Sequence, residues 1–485
     1  MVSWLWDGGG ILSIGVDWVM NCIMTIWPPH RQELRRPAYR SLAERLLQAI
    51  EAGELRSGDR LPPHRVLADQ LGLSVQTVSR AYGGLMRRGV LAGEVGRGTF
   101  VRTAPVETRT PYIQDTQDGA IVDCSILKPV CTAMHQGKFG AALAALSDDL
   151  PMTTVSSFRP SVALSNCRRP ALDWLRLCGL EVTAERVLLT NGASSAMTIA
   201  LMTAANPGDL VVTEALGHHT LKPLTGYLGF RLQGLEIDGE GIVPQAFERA
   251  CLQEAVKALY IMPSGLNPTA STAGIERRER LAAIARKHGV LIIENDAWGP
   301  VQPSRPPPIA ALAPERTFYV TSFTKCLMPG LRVGYLVTPE TFESAAASRH
   351  LVTNWMATPL LAEIASRWIV DGTAEALLLW QREALVERNA LAAEALAGLP
   401  FSASPAGMHV WLPLPHAWSE EAFVAHTRLH GVAVAPGSAF AVSAVGAGVG
   451  VRICLGAEST PALERGLSVI ARLARSQPEP ALLAI

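Results

Sequence analysis

Leu42, Leu46, Leu47 and Ile50 repeat at helical spacing behind Ser41-Leu42-Ala43-Glu44, a capping pattern, and Gly53 stops the run. Pro62-Pro63 opens a second, short helix, His64 to Leu71, closed by Gly72. Ser74 caps a third, predicted over residues 75–88 ahead of Gly89. Two short strands follow at 90–94 and 99–102, joined by Val95-Gly96-Arg97-Gly98. After a polar stretch at 104–125 with two prolines, which reads as a linker, the pattern changes. From 126 onward short apolar runs at 187–189, 210–212, 258–262, 290–293, 318–320 and 333–337 alternate with Ala- and Leu-rich helical stretches. That alternation predicts an α/β domain around a mostly parallel sheet, with a smaller α+β subdomain from about 371.

Composition narrows the class. The chain has 485 residues, 48% of them hydrophobic and 18% charged, which excludes a disordered or fibrous protein. Its net charge is zero, but residues 31–102 hold thirteen arginines, no lysine and seven carboxylates. One end is therefore basic by six charges, balanced by the rest, which points to a polyanionic partner for that end. Eight scattered cysteines with no CxxC pair suit reduced thiols, as in a cytoplasmic protein, and give neither a disulfide scaffold nor a zinc site; no metal is expected. Residues 8–27 are apolar but are interrupted by Asp17 and Asn21 and end in Pro28-Pro29. They are expected to be neither anchor nor signal, so no membrane is involved. Residues 1–30 read as a non-native or disordered extension, with Met24 the better initiator.

Two helices joined by a tight glycine turn make a helix-turn-helix, and the third helix brings Val75, Gln76, Thr77 and Ser79 to its N-terminal end, where base edges are read in a major groove. Arg65 and Arg80 are placed to hold phosphates, and the glycine-flanked Arg97 to enter a minor groove as the tip of a wing. The stretch YRSLAERLLQAIEAGELRSGDRLPPHRVLADQLGLSVQTVSRAYGGLMRRGVLAGEVGRGTFV resembles the GntR-type winged helix-turn-helix from end to end. The resemblance makes residues 31–103 a reader of double-stranded DNA. It implies contacts from Arg65, Ser74, Gln76 and Thr77, with Gly96, Arg97 and Gly98 at the wing; Val75 stands where several members carry Arg.

In open α/β sheets ligands bind beyond the carboxyl ends of the strands, and four such ends here carry related chemistry. Asn191-Gly192-Ala193-Ser194-Ser195 precedes a helix whose free N–H groups suit a phosphate. Pro263-Ser264-Gly265-Leu266-Asn267-Pro268 presents an amide, Glu294-Asn295-Asp296 a carboxylate, and Thr321-Ser322-Phe323-Thr324-Lys325 a lysine, with Arg332 seven residues on. Lysine is scarce, six in the chain, and a desolvated lysine forms Schiff bases. Pyridoxal 5′-phosphate requires this set: a lysine for its aldehyde, a helix terminus with Ser and Arg for its phosphate, and a carboxylate at its pyridinium nitrogen.

At these residues, SFTKCLMPGLRVGYLV above all, the chain resembles the class I/II, fold-type I aminotransferases over about 155–475. The resemblance implies that Lys325 carries the internal aldimine, that Ser322 and Arg332 hold phosphate, and that the amides of Gly192, Ala193 and Ser194 complete its cradle. Asn267 would bond the ring hydroxyl, and Arg452, in GVRICLG, would grip an α-carboxylate. Three positions depart from the pattern. His218 stands for the ring-stacking aromatic, Trp298 for a phenol, and at the pyridine nitrogen the choice lies between Asn295 and Asp296. A GntR-type winged helix, a linker and an aminotransferase-like domain at 126–485 together resemble the MocR family of regulators. That family implies a homodimeric transcription factor that senses pyridoxal phosphate, an amino acid or another amine. The competing expectation is an aminotransferase of α-amino acids with a secondary DNA-binding domain.

Overall fold

A computed structural model describes residues 34, 37–51, 54–55, 58–87, 90–94, 98–101, 121–302, 304–442, 449–456 and 458–478. The chain divides into two compact units between Thr108 and Arg109. The smaller has helices Ala38–Glu51, His64–Leu71 and Val75–Arg87 and a three-stranded antiparallel sheet in the order Arg60–Leu61, Gly98–Val101, Leu91–Glu94. Leu42 and Leu46 of the first helix, Leu67 and Leu71 of the second and Val78, Tyr82 and Leu85 of the third close one core. Gly72 adopts φ 60°, a left-handed conformation that returns its N–H to the carbonyls of Ala68 and Asp69 and so ends the second helix. The buried Tyr82 hydroxyl donates to the Pro62 carbonyl at 3.1 Å, pinning the turn that precedes that helix. Strand Arg60–Leu61, registered on Thr99 and Phe100, was not expected: two residues are too few to show alternation.

The larger unit is built on a seven-stranded sheet. Its spatial order is Val187–Thr190, Gly334–Val337, Thr317–Ser322, Leu291–Asn295, Val256–Ile261, Leu210–Glu214, Arg231–Leu235. Neighbours run parallel except around Gly334–Val337, which is antiparallel to both of its partners. Strands Leu210–Glu214, Thr317–Ser322 and Gly334–Val337 are buried along their whole length, and the sequence shows an apolar run in each. The edge strand Arg231–Leu235 is mostly half-exposed and leaves no such run, and it was missed.

A second sheet of five strands has the order Ser402–Ala403, His409–Pro413, Gly450–Cys454, Val432–Pro436, Val122–Cys124. Helices Thr373–Ala395, Glu420–Leu429 and Thr460–Arg475 contribute to the core on which it packs. Val122–Cys124 corrects the linker boundary of 125. This short segment pairs in parallel with Val432–Val434 and buries Cys124, so the polar stretch ends in a strand. Among the described residues no helix is long and apolar enough to cross a membrane.

Candidate functional site

The sheet topology decides which residues can meet. Five of the parallel strands release their chains at one edge, giving the segments after Thr190, Glu214, Ile261, Asn295 and Ser322. The antiparallel strand enters at that edge, because Gly334 pairs with both Ser322 and Thr190, and this brings in Arg332. From the smaller sheet come Ser125–Leu127 and Arg452. The result is a cavity of about 560 Å³ lined by Ala193, Ser194, His218, Asn267, Asn295, Ser322, Lys325, Arg332 and Arg452, among others. Three cations and no carboxylate stand among its described lining residues, so it complements an anionic ligand.

One end is formed for phosphate. Gly192 has φ 82° and caps helix Ala193–Ala204, and a Cβ there would stand 3.0 Å from the Arg332 guanidinium. The Gly192 N–H is already given to Thr190 O at 2.9 Å, a correction to its expected part in the cradle: it supplies the turn. The first-turn amides of Ala193 and Ser194, which have no acceptor within the helix, remain to hold an anion. Ser322 is fully buried and its Oγ has no partner among the described residues, an orphan that a phosphate oxygen would satisfy. Arg332 lies against Thr324 Oγ1 and the Asn191 carbonyl, at 3.4 and 3.3 Å.

At the centre, burial and then the neighbouring Arg452 lower the Lys325 pKa to about 8, which favours the neutral amine that attacks a carbonyl. Its Nζ donates to the Leu127 carbonyl. Arg452, buried, donates from Nη1 to Asn267 Oδ1 at 2.8 Å and from Nη2 to Ser125 O at 2.5 Å, and its guanidinium stacks 4.7 Å over Phe440. Its Nε has no partner among the described residues. Asn267 lines the cavity with its Oδ1 already taken by Arg452. Ser125 and Leu127 leave no mark in the sequence, because both act through backbone carbonyls. Phe440 was missed as well, a lone aromatic with no motif around it.

Asn295 and Asp296 separate clearly. Asn295 lines the cavity, with Nδ2 donating to Tyr260 Oη at 2.6 Å and Oδ1 accepting from Ala297 N at 3.1 Å. Asp296 is absent from the lining. It is fully buried, with Oδ2 bound by the Arg305 guanidinium and the Tyr319 hydroxyl at 2.5 Å. The expected cofactor role of Asp296 is thereby corrected: adjacent residues leaving a strand project to opposite sides, and Asp296 falls on the far one. Trp298 lines the cavity but spends its N–H on Gly265 O at 2.8 Å. His218 is stacked on His219 at 4.8 Å and bonded to Thr220 Oγ1 at 2.8 Å; burial and then His219 hold it well below the usual histidine range, so it is a neutral ring on the cavity wall.

In the smaller unit the N-terminal turn of Val75–Arg87 exposes Val75 and Gln76, and Arg65 is exposed on the preceding helix. Ser74 Oγ accepts from Thr77 N at 3.1 Å and pairs with Thr77 Oγ1 at 2.8 Å, so both hydroxyls first serve as the helix cap. The exposed Arg80 rests its guanidinium 5.1 Å over the Tyr39 ring. Gly98 begins the last strand with φ 122°; Gly96 and Arg97, the expected wing tip, lie outside the described residues, as do residues 1–30.

Comparison with known proteins accords with both units. The pattern "Aminotransferase class I and II" matches residues 136–470, and "Bacterial regulatory proteins, gntR family" matches residues 38–101. The HTH-type transcriptional regulator YdeF of Bacillus subtilis is 29% identical over 92% of this chain and 96% of its own. The probable rhizopine catabolism regulatory protein MocR of Rhizobium meliloti is 26% identical over 73% and 76%. Among solved structures, an archaeal alanine:glyoxylate aminotransferase shares the fold, with a TM-score of 0.68 and 22% identity over 73% of this chain and 90% of that one. The residues at the cavity suit the group this family uses, and the chain belongs to the class I and II aminotransferase family, whose cofactor is pyridoxal 5′-phosphate, as a MocR-type member with a gntR-family DNA-binding domain ahead of it.

Proposed function

We propose that the protein is a transcriptional regulator whose DNA affinity is set by pyridoxal phosphate together with an amino acid or another amine, and that it acts as a homodimer. The observation that carries this reading is the presence, in one chain, of a helix end shaped for a major groove and a cationic cavity built around a lysine of lowered pKa. When bound, the cofactor supplies an aldehyde that combines reversibly with amines. Ser322, Arg332 and the amides of Ala193 and Ser194 hold its phosphate, Lys325 offers the resident amine, and Arg452 selects a carboxylate on the incoming one. An amine that displaces Lys325 and engages Arg452 makes contacts that differ between two states of the protein, which is what a switch requires. The linker carries the change to the DNA-binding domain.

Support for the homodimer comes from an apolar surface. Met152, Val155 and Phe158 are 74, 64 and 81% exposed, Val352 is 84% exposed, and Trp355 donates to the Phe158 carbonyl at 2.9 Å, joining the two segments. Exposed apolar groups gathered in this way support a protein–protein surface, which we assign to the second copy of the chain.

The aminotransferase reading is favoured by the same lysine, which with a pKa of about 8 could pass a proton repeatedly. One experiment separates the two. The full-length protein, with Lys325→Ala as control, is titrated with a panel of amino acids and amines while its visible spectrum, keto-acid yield and affinity for the DNA upstream of its own gene are followed. The regulator reading expects an amine that shifts the spectrum without sustained keto-acid production and changes the DNA Kd by about 5- to 150-fold. Many turnovers with an unmoved Kd would replace it with the enzyme.

A further inference from the structure

The amide of Asn295 has a fixed orientation. The Ala297 N–H needs an acceptor, and only Oδ1 can accept; Nδ2 lies 2.6 Å from Tyr260 Oη, to which it donates one of its two hydrogens. Asn295 is 2% exposed and lines the cavity, and its second N–H has no partner among the described residues. A buried donor left over in this way calls for an acceptor from the ligand.

The carboxylates nearest the position are placed elsewhere. Asp296 is outside the cavity lining, its Oδ2 held by Arg305 and Tyr319 and its Oδ1 buried without a partner among the described residues. Glu214 is buried with Oε1 accepting from Met262 N at 2.8 Å and Oε2 from Thr213 Oγ1 at 2.7 Å. Burial raises the Tyr260 phenol and holds His218 far below the histidine range, so both stay neutral at neutral pH.

We infer that Asn295, oriented by Ala297 and Tyr260, donates its free amide hydrogen to the ring nitrogen of the cofactor and keeps that nitrogen unprotonated. The inference rests on the proposed cofactor-binding role of the cavity and deepens it. A neutral donor stabilises a bare pyridine nitrogen, whereas a carboxylate stabilises the protonated ring. An unprotonated ring draws electrons weakly from the atoms attached to it. Asn295, by this direct contact, lets the cavity hold an amine without driving its conversion.

The test is nitrogen NMR of the full-length protein loaded with pyridoxal phosphate labelled with 15N in the ring. The wild type is expected to show the downfield resonance of a bare pyridine, unchanged across neutral pH. Asn295→Asp is expected to move it upfield to that of a pyridinium. A pyridinium resonance in the wild type overturns the inference while leaving the cofactor reading intact. Should Asn295→Asp not fold, the wild-type resonance decides alone. Failure of the protein to take up the labelled cofactor at all would overturn the cofactor reading and the inference with it.

Discussion

A lysine surrounded by two arginines and little water is a different reagent from one on a surface. Burial comes first and Arg452 second among the causes that bring Lys325 to about 8. The sign follows: below that pH the group is an ammonium, above it the nucleophilic amine. Capture of added pyridoxal phosphate by the apoprotein, followed by stopped-flow absorbance, should speed up roughly tenfold per pH unit up to about 8 and then level off. Arg452→Ala should move the midpoint upward; a pH-independent rate would refute the assignment. The lysine itself was legible in the sequence because it follows an apolar strand in a chain with few lysines. The choice between Asn295 and Asp296 was not, since composition cannot say which of two adjacent residues faces a cavity. That depends on the pleat of strand Leu291–Asn295 and on Arg305, which claims Asp296 from nine residues away.

Elements were readable in proportion to how completely they are buried. The central strands were found within a residue or two because both of their faces are covered, and helix His64–Leu71 because proline opens it and glycine closes it. Arg231–Leu235, Arg60–Leu61 and Val122–Cys124 are edge or very short strands whose pairing is decided by partners far away in sequence. The turn into helix Ala193–Ala204 shows how much one element asks of one residue. Gly192 at φ 82°, ψ 177° is in a region that side chains avoid, and the Cβ of an alanine would also crowd Arg332. Gly192→Ala should cost about 1–3 kcal/mol in denaturant unfolding and weaken cofactor binding through its phosphate end. Unchanged stability and unchanged binding of inorganic phosphate would mean that the turn is not under this constraint.

Over the whole molecule a zero net charge conceals two opposite tasks. Residues 31–102, basic by six charges, suit a polyanion, and Arg65 is exposed on the helix beside the reading one. Losing one phosphate contact releases one counterion fewer, so Arg65→Ala should lower the slope of log K against log salt by about one at every DNA sequence, with the visible spectrum of the bound cofactor unchanged. An unaltered slope would remove Arg65 from the interface. In the larger unit, Lys325 and Arg452 each donate to a backbone carbonyl, those of Leu127 and Ser125, in the segment by which the chain enters that unit. The carboxylate and aldehyde of an arriving ligand want the same two donors. Occupation of the cavity is therefore an exchange of partners: whatever binds must displace the chain's own peptide groups, and the work of doing so is spent on the stretch of backbone that follows strand Val122–Cys124.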